Sequence, residues 1–191
     1  MARRAPEPPA DFEGPQADPE QVARTILLRR LEVAPRTRSQ LAATLAQRGV
    51  PEDVATRVLD RFEEVGLVDD ATFARLWVQS RQAGRGLSSA ALRQELRRRG
   101  VVDALIDEAL AQVDPEDELA AARALVARRL PSVAGLPRAT QVRRLTGALA
   151  RKGYGAGLAF GVVREMLDDA DQEQDGLGEL DGDGAPHRWG T

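Results

Sequence analysis

One six-residue signal occurs three times in this chain, and it limits the fold more than any other feature. Leu45-Ala46-Gln47-Arg48-Gly49-Val50 matches Leu96-Arg97-Arg98-Arg99-Gly100-Val101, and both match Leu149-Ala150-Arg151-Lys152-Gly153-Tyr154. The glycines are 51 and 53 residues apart. Five residues past them lie Val54, Leu105 and Leu158; ten past lie Leu59, Leu110 and Val163; thirteen past lie Phe62, Val113 and Met166. Self-similarity at a fixed period is an architectural signal, and here it predicts three copies of a helical unit of about 50 residues. A unit that small buries too little surface alone, so neighbours must stack and share core. The expected fold is all-α: three tandem three-helix repeats forming an elongated, curved array.

Helical spacing divides each unit. Val22, Ala23, Ile26, Leu27 and Leu31 stripe a first helix that Pro35 ends. Thr37-Arg38-Ser39-Gln40 fits a capping box, followed by the stripe Leu41, Ala42, Leu45, Ala46. Val54, Val58, Leu59, Phe62 and Val65 stripe a third. The same order recurs twice, with Ser88 as a cap in the second unit. The expected boundaries are a disordered segment at 1–19, repeats at 20–68, 69–114 and 115–167, and a disordered acidic tail at 168–191.

The first two units meet in VGLVDDATFA, Val65 to Ala74. Gly66 reads as a helix stop, because glycine takes the left-handed conformation cheaply. Asp69 and Asp70 precede Phe73, Leu76 and Trp77, and Asp is a favoured N-cap. A catalytic or metal carboxylate pair is the competing reading. A cap already explains one Asp, and no His or Cys lies near. Trp77, at helical spacing with Phe73, reads as core before it reads as a base-stacking platform.

The net charge of -3 is unevenly spread. Residues 1–20 carry a net -3 and residues 168–191 a net -7, so the middle is +7. Between Glu118 and Glu165 there is no acid, yet nine Arg or Lys. This polarity points to an anionic partner for the middle, against the plainer reading of a solvated helical surface.

Other chemistries find little support. With no Cys there are no disulfides, thiolate sites or thiol nucleophiles. The single His187 lies in the tail and reads as solvated, which removes the usual base of a nucleophilic triad. Gly155 to Gly161 faintly resembles a dinucleotide loop, but its spacing is off by one and a basic helix precedes it. There is no Walker A sequence. Catalytic, cofactor-binding and metal residues are therefore expected to be none. No apolar run approaches the roughly 18 residues of a membrane span, and the N-terminus lacks a signal-peptide core. The expected compartment is the cytoplasm.

GLVDDATFARLWVQSR at 66–81 resembles the central signature of the RecX family, the regulators of the RecA recombinase. So do PRTRSQLAATLAQRGV at 35–50, GRGLSSAALRQELRRRGV at 84–101 and LARKGY at 149–154. The likeness covers about residues 20–167 in order, and is most like the actinobacterial type, in keeping with Arg used for Lys. It implies three tandem three-helix repeats, no catalysis, and binding along the groove of the RecA–DNA filament. It also implies lowered recombinase, ATPase and coprotease activity of RecA. Weak DNA binding besides RecA and a monomeric state are further expectations. The terminal segments fall outside the pattern.

The candidate partner-binding residues are Arg93, Arg97, Arg98 and Arg99 in the second unit and Arg143, Arg144, Arg151 and Lys152 in the third. Helical spacing puts Arg93 with Arg97 on one face, and Arg144 with Arg151. Gly49, Gly66, Gly100, Gly153, Asp69, Asp70, Phe73 and Trp77 are the structural motif. Two other classes stay open: an autonomous helical DNA-binding protein, and a helical-repeat adaptor that ignores RecA.

Overall fold

A computed structural model describes residues 18–180. Everything regular among them is helical. Helix α1 is Pro19–Val33, α2 Arg38–Gln47 and α3 Glu52–Glu64. Then come α4, Asp70–Arg85, α5, Ser89–Arg98, and α6, Asp103–Ala111. Last are α7, Pro115–Ala127, α8, Arg138–Ala150, and α9, Ala156–Leu180, with a single 3-10 turn at Leu130–Ser132 between α7 and α8.

The six-residue signal is a helix stop with a specific geometry. At its first occurrence the Gly49 amide bonds back to the Ala46 carbonyl and the Val50 amide to the Leu45 carbonyl, 3.0 and 3.1 Å. Gly100 and Val101 repeat this on Arg97 and Leu96, and Gly153 and Tyr154 on Ala150 and Leu149. The apolar residue after the glycine thereby folds onto the Leu five positions earlier. Leu45, Leu96 and Leu149 are all fully buried. Gly66 closes α3 in the same way, its amide on Glu63 and that of Leu67 on Phe62. All four glycines are left-handed, with φ between 72 and 86°.

Starts are equally local. The Asp18 carboxylate caps α1 at the Glu20 amide, with Pro19 in the first turn. Thr37 and Gln40 complete the capping box of α2. Asp69 caps α4, accepting from the Thr72 amide at 2.8 Å and the Thr72 hydroxyl at 2.6 Å. Ser88 caps α5, accepting from the Ala91 amide.

The described chain divides into two compact units. The first holds residues up to Gln79 together with Arg93–Gln112. Its main core is built from Ala23 and Leu27 of α1, Leu41 and Leu45 of α2, and Val58, Leu59 and Phe62 of α3. The second holds Ser80–Leu92 and the chain from Val113 onward. Leu125 and Val126 of α7, Leu145 and Leu149 of α8, and Val162, Val163 and Leu167 of α9 form its core.

Five sequence expectations change here, the first being Ala46, placed in the stripe of α2 and exposed. Val65 is 52% exposed, because α3 ends at Glu64 and Val68 enters the core in its place. Leu76 is 56% exposed, since the buried face of α4 runs through Phe73, Ala74 and Val78. Leu158 is 37% exposed, leaving Ala159 and Val162 to pack. The stretch 168–180, expected to be disordered, continues α9 as helix. Arg138 of α8 holds this stretch through ion pairs to Asp168 and Asp171. Residues 1–17 and 181–191, with the expected disorder there and His187, lie outside the described residues.

Candidate partner-binding surface

Within each unit, a glycine turn docks on the N-terminus of a helix from the preceding repeat. In the first unit the Arg99 carbonyl, just before Gly100, accepts from the Thr37 hydroxyl at 2.6 Å. The Asp70 carboxylate accepts from the next amide, Arg38, at 2.8 Å. In the second unit the Lys152 carbonyl, just before Gly153, accepts from the Ser88 amide at 3.0 Å. The Glu118 carboxylate accepts from the next amide, Ser89, at 3.2 Å, and from its hydroxyl at 2.5 Å. Both joints thus satisfy exposed first-turn amides with oxygens from the following repeat. Asp69 and Asp70 play different parts: Asp69 caps its own helix, and Asp70 accepts from Arg38 at the joint. Burial pushes the Asp70 carboxyl up, against the Arg38 amide and charge, whereas the Thr72 hydroxyl and amide hold Asp69 down.

Packing within the second repeat leaves little of its basic cluster free. Arg93 and Arg97 share a face, and that face meets α6: Arg93 pairs with Asp107, and Arg97 with Asp103 at 2.7 Å. The Arg97–Asp103 hydrogen bond raises the one pKa and lowers the other. Arg99 lies 3.6 Å above the Trp77 ring centroid. Trp77 is stacked on Phe73 at 5.7 Å and donates from Nε1 to Glu95 at 2.9 Å. Its ring is half-buried and occupied within the molecule by Arg99, Phe73 and Glu95. Arg98 is exposed and, among the described residues, bonds only to the Gln94 carbonyl of its own helix.

The third-repeat residues differ. Arg143, Arg144 and Arg151 are exposed and form no ion pair with any described residue. Other arginines of the acid-free run are neutralised by α9: Arg123 by Glu165 at 2.9 Å, Arg138 by Asp168 and Asp171, and Arg164 by Asp168 at 3.7 Å. Arg143, Arg144 and Arg151 instead line one cavity of about 380 Å³, with Arg129, Ser132, Val133 and Leu145. Arg151 reaches back along α8, so that a Cβ on Gly147 would lie 3.5 Å from its Nη1. Lys152 is half-buried, does not line the cavity, and serves the joint through its carbonyl. Sequence spacing missed Arg129, which precedes the 3-10 turn and belongs to no helical stripe. Its one signal was membership of the acid-free run.

Among the described residues no group of His, Cys, Asp or Glu could hold a metal ion, and no helix is long and apolar enough to cross a membrane. Gly155 to Gly161 form the turn into α9 and its first turns.

Models of the first, second and third three-helix domains of RecX match residues 23–62, 69–110 and 116–163. The regulatory protein RecX of Streptomyces coelicolor is 52% identical over 165 residues, covering 86% of this chain and 88% of that protein. That of Thermobifida fusca is 52% identical over 158 residues, covering 81% and 85%. That of Mycolicibacterium smegmatis is 45% identical over 168 residues, covering 83% and 89%. The crystal structure of RecX from Lactobacillus salivarius shares the fold at a TM-score of 0.72 and 16% identity, over 78% of this chain and 96% of that one. A second RecX crystal structure matches at 0.68 and 25% identity, over 80% and 72%. Three matched domains in order, on a fold shared with solved relatives, place this chain in the RecX family of regulatory proteins.

Proposed function

We propose that this chain binds the RecA recombinase and the RecA–DNA filament, and that it mainly inhibits recombinase, ATPase and coprotease activity. It then acts in the cytoplasm as a monomeric, non-catalytic regulator within DNA repair and the SOS response. The reading rests on family membership, and its contact surface on one observation: Arg143, Arg144 and Arg151 form no ion pair with any described residue, whereas Arg123, Arg138 and Arg164 are neutralised. Unpaired cations on a surface steer and hold an anionic partner. The filament offers phosphate and acidic protein surface together. Arg98 adds one exposed charge from the second repeat, and Arg93, Arg97 and Arg99 contribute mainly to its internal structure.

The test replaces Arg143, Arg144, Arg151 and Lys152 by Glu together. Surface substitutions usually cost within about 0.5 kcal/mol each, so the variant should stay helical, with melting little changed. Inhibition of RecA ATPase and strand exchange should fall sharply, and most at low salt, where exposed charges are least screened. A folded variant that still inhibits like the parent would remove this face from the contact. A parent that never inhibits RecA, yet binds bare duplex DNA tightly with a steep salt slope, would establish the DNA-binding alternative.

A further inference from the structure

We infer that the cavity between the 3-10 turn and α8 is a binding site for a compact polyphosphate, such as the triphosphate group of a nucleotide. The inference rests on the cavity's own chemistry and goes beyond the filament contact proposed above. Four guanidinium side chains, Arg129, Arg143, Arg144 and Arg151, line a space of about 380 Å³ whose lining contains no acid. Arg129 comes from the loop and the others from α8 and its end. Four like charges gathered on one concavity repel one another, and the repulsion is relieved only by solvent or a bound anion. Elsewhere in the same repeat the fold removes such repulsion with Glu165, Asp168 and Asp171. Here no described carboxylate does so.

The geometry favours oxyanions of phosphate type over carboxylates held singly. Each guanidinium presents a planar fork of donors that matches two oxygens at once. The Ser132 hydroxyl donates to the Arg129 carbonyl at 2.7 Å, so its proton is engaged and the arginines supply the donors. Val133 and Leu145 close the floor, and both are buried. An open concavity lined by four cations matches several negative charges on one small group. A terminal phosphate carries about 1.5 to 2 negative charges at neutral pH. A strand of nucleic acid spreads its charge at one per nucleotide along its length, which suits a stripe better than a pocket.

The experiment titrates the full chain with sodium tripolyphosphate by calorimetry, at constant ionic strength set with chloride. The expected result is saturable binding at one site per chain. Arg129→Gln should weaken it by about tenfold, the loss of a charge-assisted hydrogen-bond pair. Arg128→Gln, an exposed neighbour outside the cavity lining, should leave it unchanged. Sulfate at the same ionic strength should not compete, and neither should a single-stranded oligonucleotide without a terminal phosphate. No saturable binding, or equal loss in both variants, overturns the assignment. Displacement by the oligonucleotide at lower concentration than tripolyphosphate would mean that the pocket reads a backbone diester, and overturns it too. RecA inhibition measured on the same preparations separates the two ideas. Tripolyphosphate binding by a chain that never inhibits RecA refutes only the proposed function. Absent binding in a chain whose inhibition is lost on charge reversal refutes only the pocket.

Discussion

Three glycine turns carry the same sequence signal and the same backbone, and they differ in what lies against them. A Cβ built on Gly49 meets nothing within 4 Å. On Gly100 it would lie 2.2 Å from Ser39 Oγ and 2.3 Å from Ser39 Cβ. On Gly153 it would lie 2.6 Å from Ala91 Cβ and 2.7 Å from Ser88 Oγ. The first turn belongs to the first repeat, and no described repeat precedes it. The other two are the contact points of their joints. The signal therefore encodes a helix stop in all three places, and in two of them it also leaves room for side chains of a helix from the preceding repeat.

The largest expected effect comes from filling that room. Gly100→Ala and Gly153→Ala combine left-handed strain with overpacking, about 2–5 kcal/mol in all. Gly49→Ala should cost only the strain, about 1–2 kcal/mol. Urea melts of the three variants measure the gap. Ser39→Gly should recover part of the loss in Gly100→Ala and none in Gly153→Ala, a double-mutant cycle that isolates the contact. Equal costs at all three glycines would break the comparison.

The two joints can then be set against each other. The first uses a side chain, the Thr37 hydroxyl on the Arg99 carbonyl; the second uses the backbone, the Ser88 amide on the Lys152 carbonyl. Thr37→Ala removes a cap and a joint bond at once, whereas Ser88→Ala removes only a cap. Both residues are buried, at 0% and 1% exposure, so burial does not separate them. Thr37→Ala should therefore cost about 1 kcal/mol more than Ser88→Ala. Thr37→Ser should recover most of the difference.

Gly66 offers an outside check on the turn geometry. It is left-handed, with φ 72°, and open to solvent, with nothing near a built Cβ. Gly66→Val should cost about 1 kcal/mol or more, through backbone strain alone. An unchanged melting curve would show that the strain attributed to these turns is not felt.

These contrasts mark where the sequence was legible. The repeat was readable because a helix stop is local: Leu, Gly and the following apolar residue lie within six positions. The caps at Thr37, Asp69 and Ser88 were readable for the same reason. Whatever depends on a second element was not. Asp70 bonds to Arg38, 32 residues away. Arg93 and Arg97 share a face, as helical spacing requires, but nothing in their own helix shows that the acids of α6 stand opposite. The acid-free run from Leu119 to Arg164 was a fact about the sequence, and α9 folds acids back onto part of it. What survives as a candidate site is the part beyond their reach, together with Arg129 from a loop that has no period.

The smallest expected effect lies in the two aspartates that start α4, and it has a sign. Asp69 is held below its ordinary value first by the Thr72 hydroxyl and then by the Thr72 amide. Its stabilisation is fully present above the unfolded value of about 3.9 and is lost as pH falls through the lower folded value. Asp70 is pushed up, first by burial at the joint, so its linkage runs the other way. The folded state binds its proton more readily, and that advantage is present below about 3.9 and lost as pH rises through the folded value. Asn can replace either as a hydrogen-bond acceptor without the charge. Asp69→Asn should be slightly less stable than the parent at pH 7, by no more than about 0.5 kcal/mol, since Asn caps nearly as well. That gap should close as pH falls below about 4. Asp70→Asn should be at least as stable as the parent at pH 7, and its relative standing should decline as pH falls through the raised folded value towards about 3.9. Urea melts of the parent and both variants at each pH measure the two slopes. Slopes of the same sign would mean that Asp70 is a second cap like Asp69, and that the carboxylate at the first joint carries no burial cost.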